Sequence, residues 1–139
     1  DDEIDSFNHY FDALTVTQLI KLSKSNLIEI GNHTVNHPNL QSTVNSQLEM
    51  EIKDSNLFLK RITKRNIKAF SFPYGSFCNN SVEILQELKY KCAFLLENGE
   101  YCCNKYKIKR LGIYNSNPIY LYLKLSKFYD VFSYIKKQR

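Results

Sequence analysis

The sequence has no tryptophan, one methionine, three prolines and four glycines. It contains no low-complexity tract, linker or internal repeat, which favours one globular unit. No run of about eighteen apolar residues is present, so a membrane-spanning helix is not predicted. The acidic first residues do not resemble the basic start of a signal peptide. The compartment therefore stays open between the cytoplasm and the cell envelope.

The composition is that of an ordinary globular chain. At 139 residues, with 43% hydrophobic and 24% charged residues, it fits a single domain over 1–139. The net charge of +5 is mild and forms no clustered basic stripe, which disfavours nucleic acid as a partner. None of the four cysteines stands in a CxxC pair, which disfavours a structural zinc site. Buried or incidental thiols are the simpler interpretation, with one disulfide to Cys78 or Cys92 left open.

Helical and strand-like segments alternate after an irregular lead-in over residues 1–14. Apolar periodicity predicts helices over 15–26, 42–66, 81–91 and 118–137, and short apolar runs predict strands over 27–31, 67–72, 92–96 and 107–114. Thr15 with Gln18, and Asn80 with Glu83, resemble capping pairs at two helix starts. The alternation over 15–139 predicts an α/β fold of βα units around a parallel sheet or barrel.

Two loops with unusual chemistry follow the first two predicted strands. They are "GNHTVNHP" over 31–38 and "PYGSF" over 73–77. Functional residues of α/β proteins gather on loops at the carboxyl ends of strands. His33 and His37 are spaced so that both imidazoles can converge on one metal ion, although two histidines in a polar loop are more often merely solvated. Likewise, "PYG" alone is also explained by a tight turn.

Both loops carry a family resemblance. "LIEIGNHTVNHPNL" resembles the second motif of the polysaccharide deacetylase family, also known as the NodB homology or carbohydrate esterase 4 group, and "AFSFPYGSF" resembles the third. The resemblance covers about residues 14–114 in the right order. It implies a partial or distorted (β/α) barrel of the NodB type.

The resemblance also implies an activity and a cofactor. In that family a divalent metal, usually Zn²⁺, is held by two histidines and an aspartate, and His33 and His37 match the two histidines. The enzymes remove N-acetyl groups from sugars of an oligosaccharide or polysaccharide, which would be the substrate and partner here. The metal would polarise the acetyl carbonyl and make hydroxide available near neutral pH.

Other residues receive roles from the same resemblance. The backbone N–H of Tyr74, fixed beside Pro73, would stabilise the tetrahedral oxyanion as part of the catalytic site. Thr34, Tyr74 and Phe77 would support the loop and contact the sugar. Arg110 resembles an arginine after the late strand of shorter bacterial members, and its alternative is a surface charge that snorkels or pairs.

The sequence departs from the family pattern in its acidic residues. The first motif of the family ends in an aspartate pair on an earlier strand, and Asp1 and Asp2 imitate it poorly, so we expect that pair to be missing from this chain. Ser71 stands where many members carry an arginine, and no histidine follows His37 to act as the general acid. His9 is more simply an exposed polar residue. A catalytically inactive, carbohydrate-binding or scaffold relative therefore stays open as the alternative, and an unrelated α/β domain ranks below both.

Overall fold

The computed structural model describes residues 13–96, 104–110, 112–114 and 116–126. Within these ranges, helices and strands alternate as far as the third strand, a fourth strand and a fourth helix follow, and one 3-10 turn lies at Pro73–Gly75. In chain order they are α1 (Val16–Ser23), β1 (Gly31–Asn32), α2 (Asn45–Thr63), β2 (Ala69–Ser71), α3 (Asn79–Glu87), β3 (Cys92–Leu95), β4 (Ile108–Lys109) and α4 (Pro118–Leu125). The strands form one sheet in the order β1-β2-β3-β4, and all neighbours are parallel. The predicted α/β class with a parallel sheet is confirmed.

The strands are shorter than the apolar runs that predicted them. The prediction of a strand over 27–31 was wrong in position, because only Gly31 of that run pairs, with Ala69 of β2. Leu27 is 96% exposed and lies in the turn before the strand. Hydrophobic composition alone does not determine which residues form backbone hydrogen bonds with a neighbouring strand. Here the pairing starts at the carboxyl end of the apolar run.

Helices α1 and α2 follow the predicted pattern. The Thr15 hydroxyl accepts the N–H of Gln18 at 3.3 Å, and the Thr15 N–H donates to Gln18 Oε1 at 2.8 Å, so the predicted capping box is confirmed. Helix α2 ends at Thr63, three residues before the predicted stop. Lys64 takes a left-handed conformation there, with φ of 58°, and its N–H closes the helix on the Lys60 carbonyl at 3.0 Å.

The predicted cap of α3 by Asn80 and Glu83 was wrong. The helix begins at Asn79 after Cys78, and Ser81 Oγ accepts the Cys78 N–H at 3.1 Å while donating to the Cys78 carbonyl at 2.7 Å. The Asn80 side chain donates instead to Asn45 Oδ1 at 2.8 Å, which joins the starts of α3 and α2. A long-range contact therefore takes the side chain that the local pattern assigned to a cap.

The core lies between β2 and β3 on one side and α2 and α3 on the other. Phe70 of β2 and Phe72, which directly follows the strand, are fully buried with ring centroids 5.1 Å apart. They pack with buried apolar residues of the neighbouring elements, namely Leu40, Leu48, Ile52, Ile67, Val82, Ile84, Leu85, Tyr90, Ala93, Leu95 and Tyr106. Period-2 burial along β2 directs its alternate residue, Ser71, away from this core.

The structure also bears on the predictions for the cysteines, the membrane and the two ends of the chain. Cys78 and Cys92 are free thiols, so the disulfide that the sequence left open is not formed. None of the helices in the described ranges combines the length and apolar character that a bilayer crossing requires. The lead-in up to residue 12, Cys102 and Cys103, and the part of the last predicted helix beyond Ser126 lie outside the described residues.

A buried polar network crosses the core beneath the end of β1. Asn32 Nδ2 donates to the Tyr90 hydroxyl at 2.7 Å, and that hydroxyl donates to Asn56 Oδ1 at 3.2 Å. The three residues are 1–2% exposed. Burial raises the pKa of the Tyr90 phenol to about 12. Because buried polar groups are costly when unpaired, this network fixes the spacing between β1 and α2.

We predict that Tyr90→Phe lowers the free energy of unfolding by about 1–3 kcal/mol, because two buried amides each lose a partner. Equilibrium denaturation at neutral pH measures the loss. Tyr122→Phe is the matched control, since Tyr122 is 69% exposed and should change stability by less than about 0.5 kcal/mol. Equal stabilities of the two variants would contradict the network's role.

The same variant carries a pH prediction. The phenol pKa is about 12 in the folded chain, against 10.0 as its ordinary value. A raised pKa gives stability that is full below pH 10 and is lost as the pH rises towards 12. The difference in unfolding free energy between wild type and Tyr90→Phe should therefore shrink across that range. A difference that stays constant or grows would show that the phenol has no raised pKa.

Candidate metal centre

The loop after β1 turns through two strained residues. Thr34 and His37 have positive φ angles of 68° and 56°, a region that costs most side chains about 1–3 kcal/mol. The Asn32 side-chain oxygen accepts the Thr34 N–H at 2.9 Å, and the Thr34 hydroxyl accepts the His37 N–H at 3.1 Å. Short polar side chains thus hold the backbone in a shape that brings residues 33 and 37 to the same side.

A carboxylate from α2 holds the middle of this loop. Glu51 Oε2 accepts the N–H groups of Val35 at 2.9 Å and Asn36 at 2.8 Å, and Oε1 accepts the Asn36 side-chain amide at 2.7 Å. Burial by itself would raise the pKa of the Glu51 carboxyl, but the donors on Asn36 and Val35 outweigh burial and hold the pKa below its usual value.

The two histidine rings meet edge to face. Their centroids are 4.7 Å apart, and both side chains are exposed at the carboxyl end of β1. His33 Nδ1 lies 2.7 Å from the Ser71 carbonyl at the end of β2. A carbonyl can only accept, so Nδ1 is the donor in this contact, and in the neutral imidazole the lone pair is then on Nε2. This is the outer contact that a metal-binding imidazole ordinarily makes.

The Pro-Tyr-Gly turn follows β2 directly. Tyr74 and Gly75 both have positive φ, of 56° and 67°. The N–H groups that close the turn belong to Gly75 and Ser76, which donate to the Phe72 and Pro73 carbonyls at 2.9 Å. The N–H of Tyr74 is not used in either bond.

The loop over residues 31–38, here called the histidine loop, lies against the Pro-Tyr-Gly turn. Tyr74 is 63% exposed, and its ring centroid lies 4.6 Å from that of His37. Ser76 Oγ donates to Asn39 Oδ1 at 2.6 Å, which ties the two loops a second time. The structure therefore brings His33, His37 and Tyr74 into one surface at the carboxyl edge of the sheet.

The other predicted site residues lie around this surface with contacts of their own. Pro73 is buried, and Phe77 is half-buried with its ring 5.6 Å from that of Phe72. Lys107 Nζ lies over the outer face of Phe77, 4.6 Å from the ring centroid. Arg110 Nε donates to the Leu95 carbonyl at 3.0 Å, at the end of β3. Packing explains the positions of Pro73 and Phe77, and the hydrogen bond to the backbone explains that of Arg110, without a catalytic role.

Sequence reasoning missed Asn32 and Glu51. Asn32 had a detectable signal, because it is a polar residue directly after an apolar run and directly before His33. Glu51 had none, since it is one of several acidic residues on the surface of a long helix. Its partners are 15 and 16 residues away in sequence, and only the folded chain brings them together.

The donor set fits two of the ligands that a catalytic zinc needs. Two imidazoles are present, and one of them has its tautomer set by the Ser71 carbonyl. Over the part of the chain that the structure describes, no group of three or more His, Cys, Asp or Glu residues could hold a metal. Asp1, Asp2 and His9 lie outside that part.

An open cavity of about 510 Å³ lies beside His33, between β1 and α2. Its lining is mainly apolar, with Phe58 and Leu59 of α2, and it also includes Asp54. Among the described strands, β1 is the outermost of the sheet on this side. Within the described ranges, the cavity therefore lies beside His33 at the edge of the sheet that β1 forms.

We predict that Gly75→Ala destabilises the Pro-Tyr-Gly turn. The glycine has φ of 67°, and an added Cβ would lie 2.7 Å from the backbone nitrogen of Leu96. The free energy of unfolding should fall by about 1–3 kcal/mol, as measured by denaturant titration. Gly31→Ala is the control, because its Cβ would come no closer than 3.4 Å to any neighbour, and it should stay within about 1 kcal/mol of wild type. The opposite order would contradict the assigned strain.

The described strands form a parallel sheet with polar loops gathered at its carboxyl edge, which is where α/β proteins commonly bind ligands. The family model for polysaccharide deacetylases matches residues 7–93, which is more than half of the chain. The chain belongs to the polysaccharide deacetylase family, as its two loop motifs predicted.

Individual relatives agree with this membership. A chitooligosaccharide deacetylase of Azorhizobium caulinodans is 32% identical over 60 residues, which is 42% of this chain and 29% of that protein. The Streptococcus pyogenes deacetylase PplD, solved in complex with acetate, superposes with a TM-score of 0.72 at 24% identity, over 82% of this chain and 51% of PplD.

Two further solved structures share the fold. A polysaccharide deacetylase from Bacillus cereus gives a TM-score of 0.67 at 21% identity, over 81% of this chain and 36% of its own. A CE4 family pseudoenzyme from Bacillus anthracis gives 0.52 at 22% identity, over 56% of this chain and 27% of its own. At these identities the structures show the fold alone. The chain spans about half of PplD and less of the other relatives.

Proposed function

We propose that this chain is a metal-dependent carbohydrate deacetylase that hydrolyses N-acetyl groups of sugars in an oligosaccharide or polysaccharide. The observation that carries the proposal is the pair of exposed imidazoles, 4.7 Å apart, with His33 Nδ1 engaged by the Ser71 carbonyl. Membership of the family supports the reaction class.

His33 and His37 would hold the divalent metal, and Zn²⁺ is the ion that suits neutral imidazole in an open site. The bound ion would polarise an acetyl carbonyl and favour hydroxide near neutral pH. The Ser71 carbonyl keeps the His33 proton on Nδ1, so Nε2 stays available as a ligand. The family pattern expects an aspartate as the third ligand.

Tyr74 is the proposed oxyanion donor. Its N–H stands in a turn whose internal hydrogen bonds are made by the next two residues, which leaves it available to a substrate oxygen. Buried Pro73 fixes the start of the turn, and the left-handed Gly75 fixes its end. A donor held this way needs no rearrangement when negative charge develops on the acetyl oxygen.

The sugar would lie over the surface formed by the histidine loop and the Pro-Tyr-Gly turn. The exposed ring of Tyr74 beside His37 offers an apolar face with a polar tip, which suits a pyranose. Thr34 of the histidine loop lines the cavity, and Phe77, two residues after the turn, packs against the core. Arg110 is the weakest of the proposed site residues, because its side chain is already anchored to β3.

We predict that His33→Ala and His37→Ala each abolish zinc binding. The loop supplies two ligands, so the loss of one should weaken zinc binding by more than about a hundredfold. This is a larger effect than the loss of an outer-shell partner typically has. Titration calorimetry measures the affinity, and release of acetate from an N-acetylated oligosaccharide measures the activity. His9→Ala removes the third histidine of the chain and is the control that should bind zinc as wild type does.

The outcomes separate the two candidate functions. A His33→Ala variant with full zinc affinity would refute the metal site. A wild-type chain that binds zinc and an acetylated sugar but releases no acetate would favour the alternative, a catalytically inactive carbohydrate-binding or scaffold relative.

A further inference from the structure

Glu51 contacts the two residues at the centre of the histidine loop. Its carboxylate receives three donors, the N–H groups of Val35 and Asn36 and the side-chain amide of Asn36, at 2.7–2.9 Å. Hydrogen bonds to an ionised carboxylate are roughly twice as strong as those between neutral groups. The loop is thereby attached to α2 at its midpoint, between His33 and His37.

The loop needs such an attachment because its own backbone is strained. Thr34 and His37 both lie in the left-handed region, and a conformation of that kind persists only when surrounding contacts fix it. The bonds from Asn32 and Thr34 fix each end of the turn. Only Glu51 reaches the middle of the turn from a different element among the described contacts.

We propose that Glu51 is a positioning residue for the candidate metal centre. It holds the peptides of Val35 and Asn36 so that the His37 ring stands against His33 and Tyr74. The effect of Glu51 on metal binding rests on the proposed function. Its effect on the positions of the histidine rings does not, because these positions can be measured in the metal-free protein.

The anchor of Glu51 is rigid for a separate reason. Leu48 and Ile52 of the same helix are fully buried, so the backbone of α2 is held by the core and not by the loop. Replacing Glu51 should therefore release the loop and leave the helix in place. Glu49 offers a matched control, because it is an acidic residue on the same helix that pairs with Lys53 at 3.0 Å.

The test compares Glu51→Ala, Glu51→Gln and Glu49→Ala in the 139-residue chain. The first readout is the NMR shift of the His37 ring protons in the metal-free protein, which reports the Tyr74 ring 4.6 Å away. Glu51→Ala should move these shifts towards those of an unstructured histidine. Glu51→Gln keeps an oxygen that can accept both backbone N–H groups and should largely restore the shifts, and Glu49→Ala should not change them.

The second readout is the affinity for Zn²⁺, with Co²⁺ absorption as a spectroscopic check of ligand geometry. Glu51→Ala should weaken binding by about 10–100-fold, the range typical of outer-shell partners. Glu51→Gln and Glu49→Ala should stay within a few-fold of wild type. Wild-type ring shifts in a folded Glu51→Ala variant would overturn the inference.

The two proposals fail separately. A wild-type chain that binds no zinc would refute the proposed metal function, and the metal-free ring shifts would still decide the role of Glu51. If Glu51→Ala does not fold, Glu51→Asp takes its place, because it keeps the charge but is too short to reach both N–H groups. Unchanged His37 shifts in Glu51→Asp would then overturn the inference.

Discussion

The buried amide of Asn32 is the contact on which the candidate site depends. Its nitrogen donates to Tyr90 inside the core, and its oxygen accepts the Thr34 N–H at the start of the histidine loop. One side chain therefore connects the packing of the sheet to the conformation of the loop. Because an unpaired buried amide is costly, the loop and the core stabilise each other's geometry.

From that contact outward, the site is assembled by polar groups of three elements. The Ser71 carbonyl of β2 orients His33, the Glu51 carboxylate of α2 holds the loop centre, and the Pro-Tyr-Gly turn brings Tyr74 against His37. The hydrophobic core beneath supplies rigidity but no specificity for a ligand. Two strained segments persist at the carboxyl edge of the sheet because these contacts fix them, as is common where strain serves a function.

The sequence predicted the class of fold, and it singled out the two loops that meet at the carboxyl edge of the sheet, because both depend on local signals. Alternating periodicities mark the βα units, the Thr15 cap marks a helix start, and the two loop motifs follow strand-like runs. The predicted position of β1 was wrong because the residues that form a strand are decided by the partner strand as well as by their own hydrophobicity. The Asn80 cap failed because Asn45, 35 residues away, takes its amide.

Tertiary contacts also explain what sequence reasoning did not find. The link between Asn32 and Tyr90 spans 58 residues, and the link between Glu51 and the loop joins a helix surface to a turn. No periodicity or motif encodes such a pair in a single sequence. Residues that act by touching the substrate can carry a motif, whereas residues that orient them are recognised only once the chain is folded.

X-ray absorption at the zinc edge of the zinc-loaded chain counts the imidazole ligands around the ion, so it tests directly whether His33 and His37 bind zinc. We expect one zinc per chain with two histidine nitrogens at about 2.0–2.1 Å. A zinc ion that is surrounded only by oxygen, or the absence of stoichiometric zinc, would contradict it.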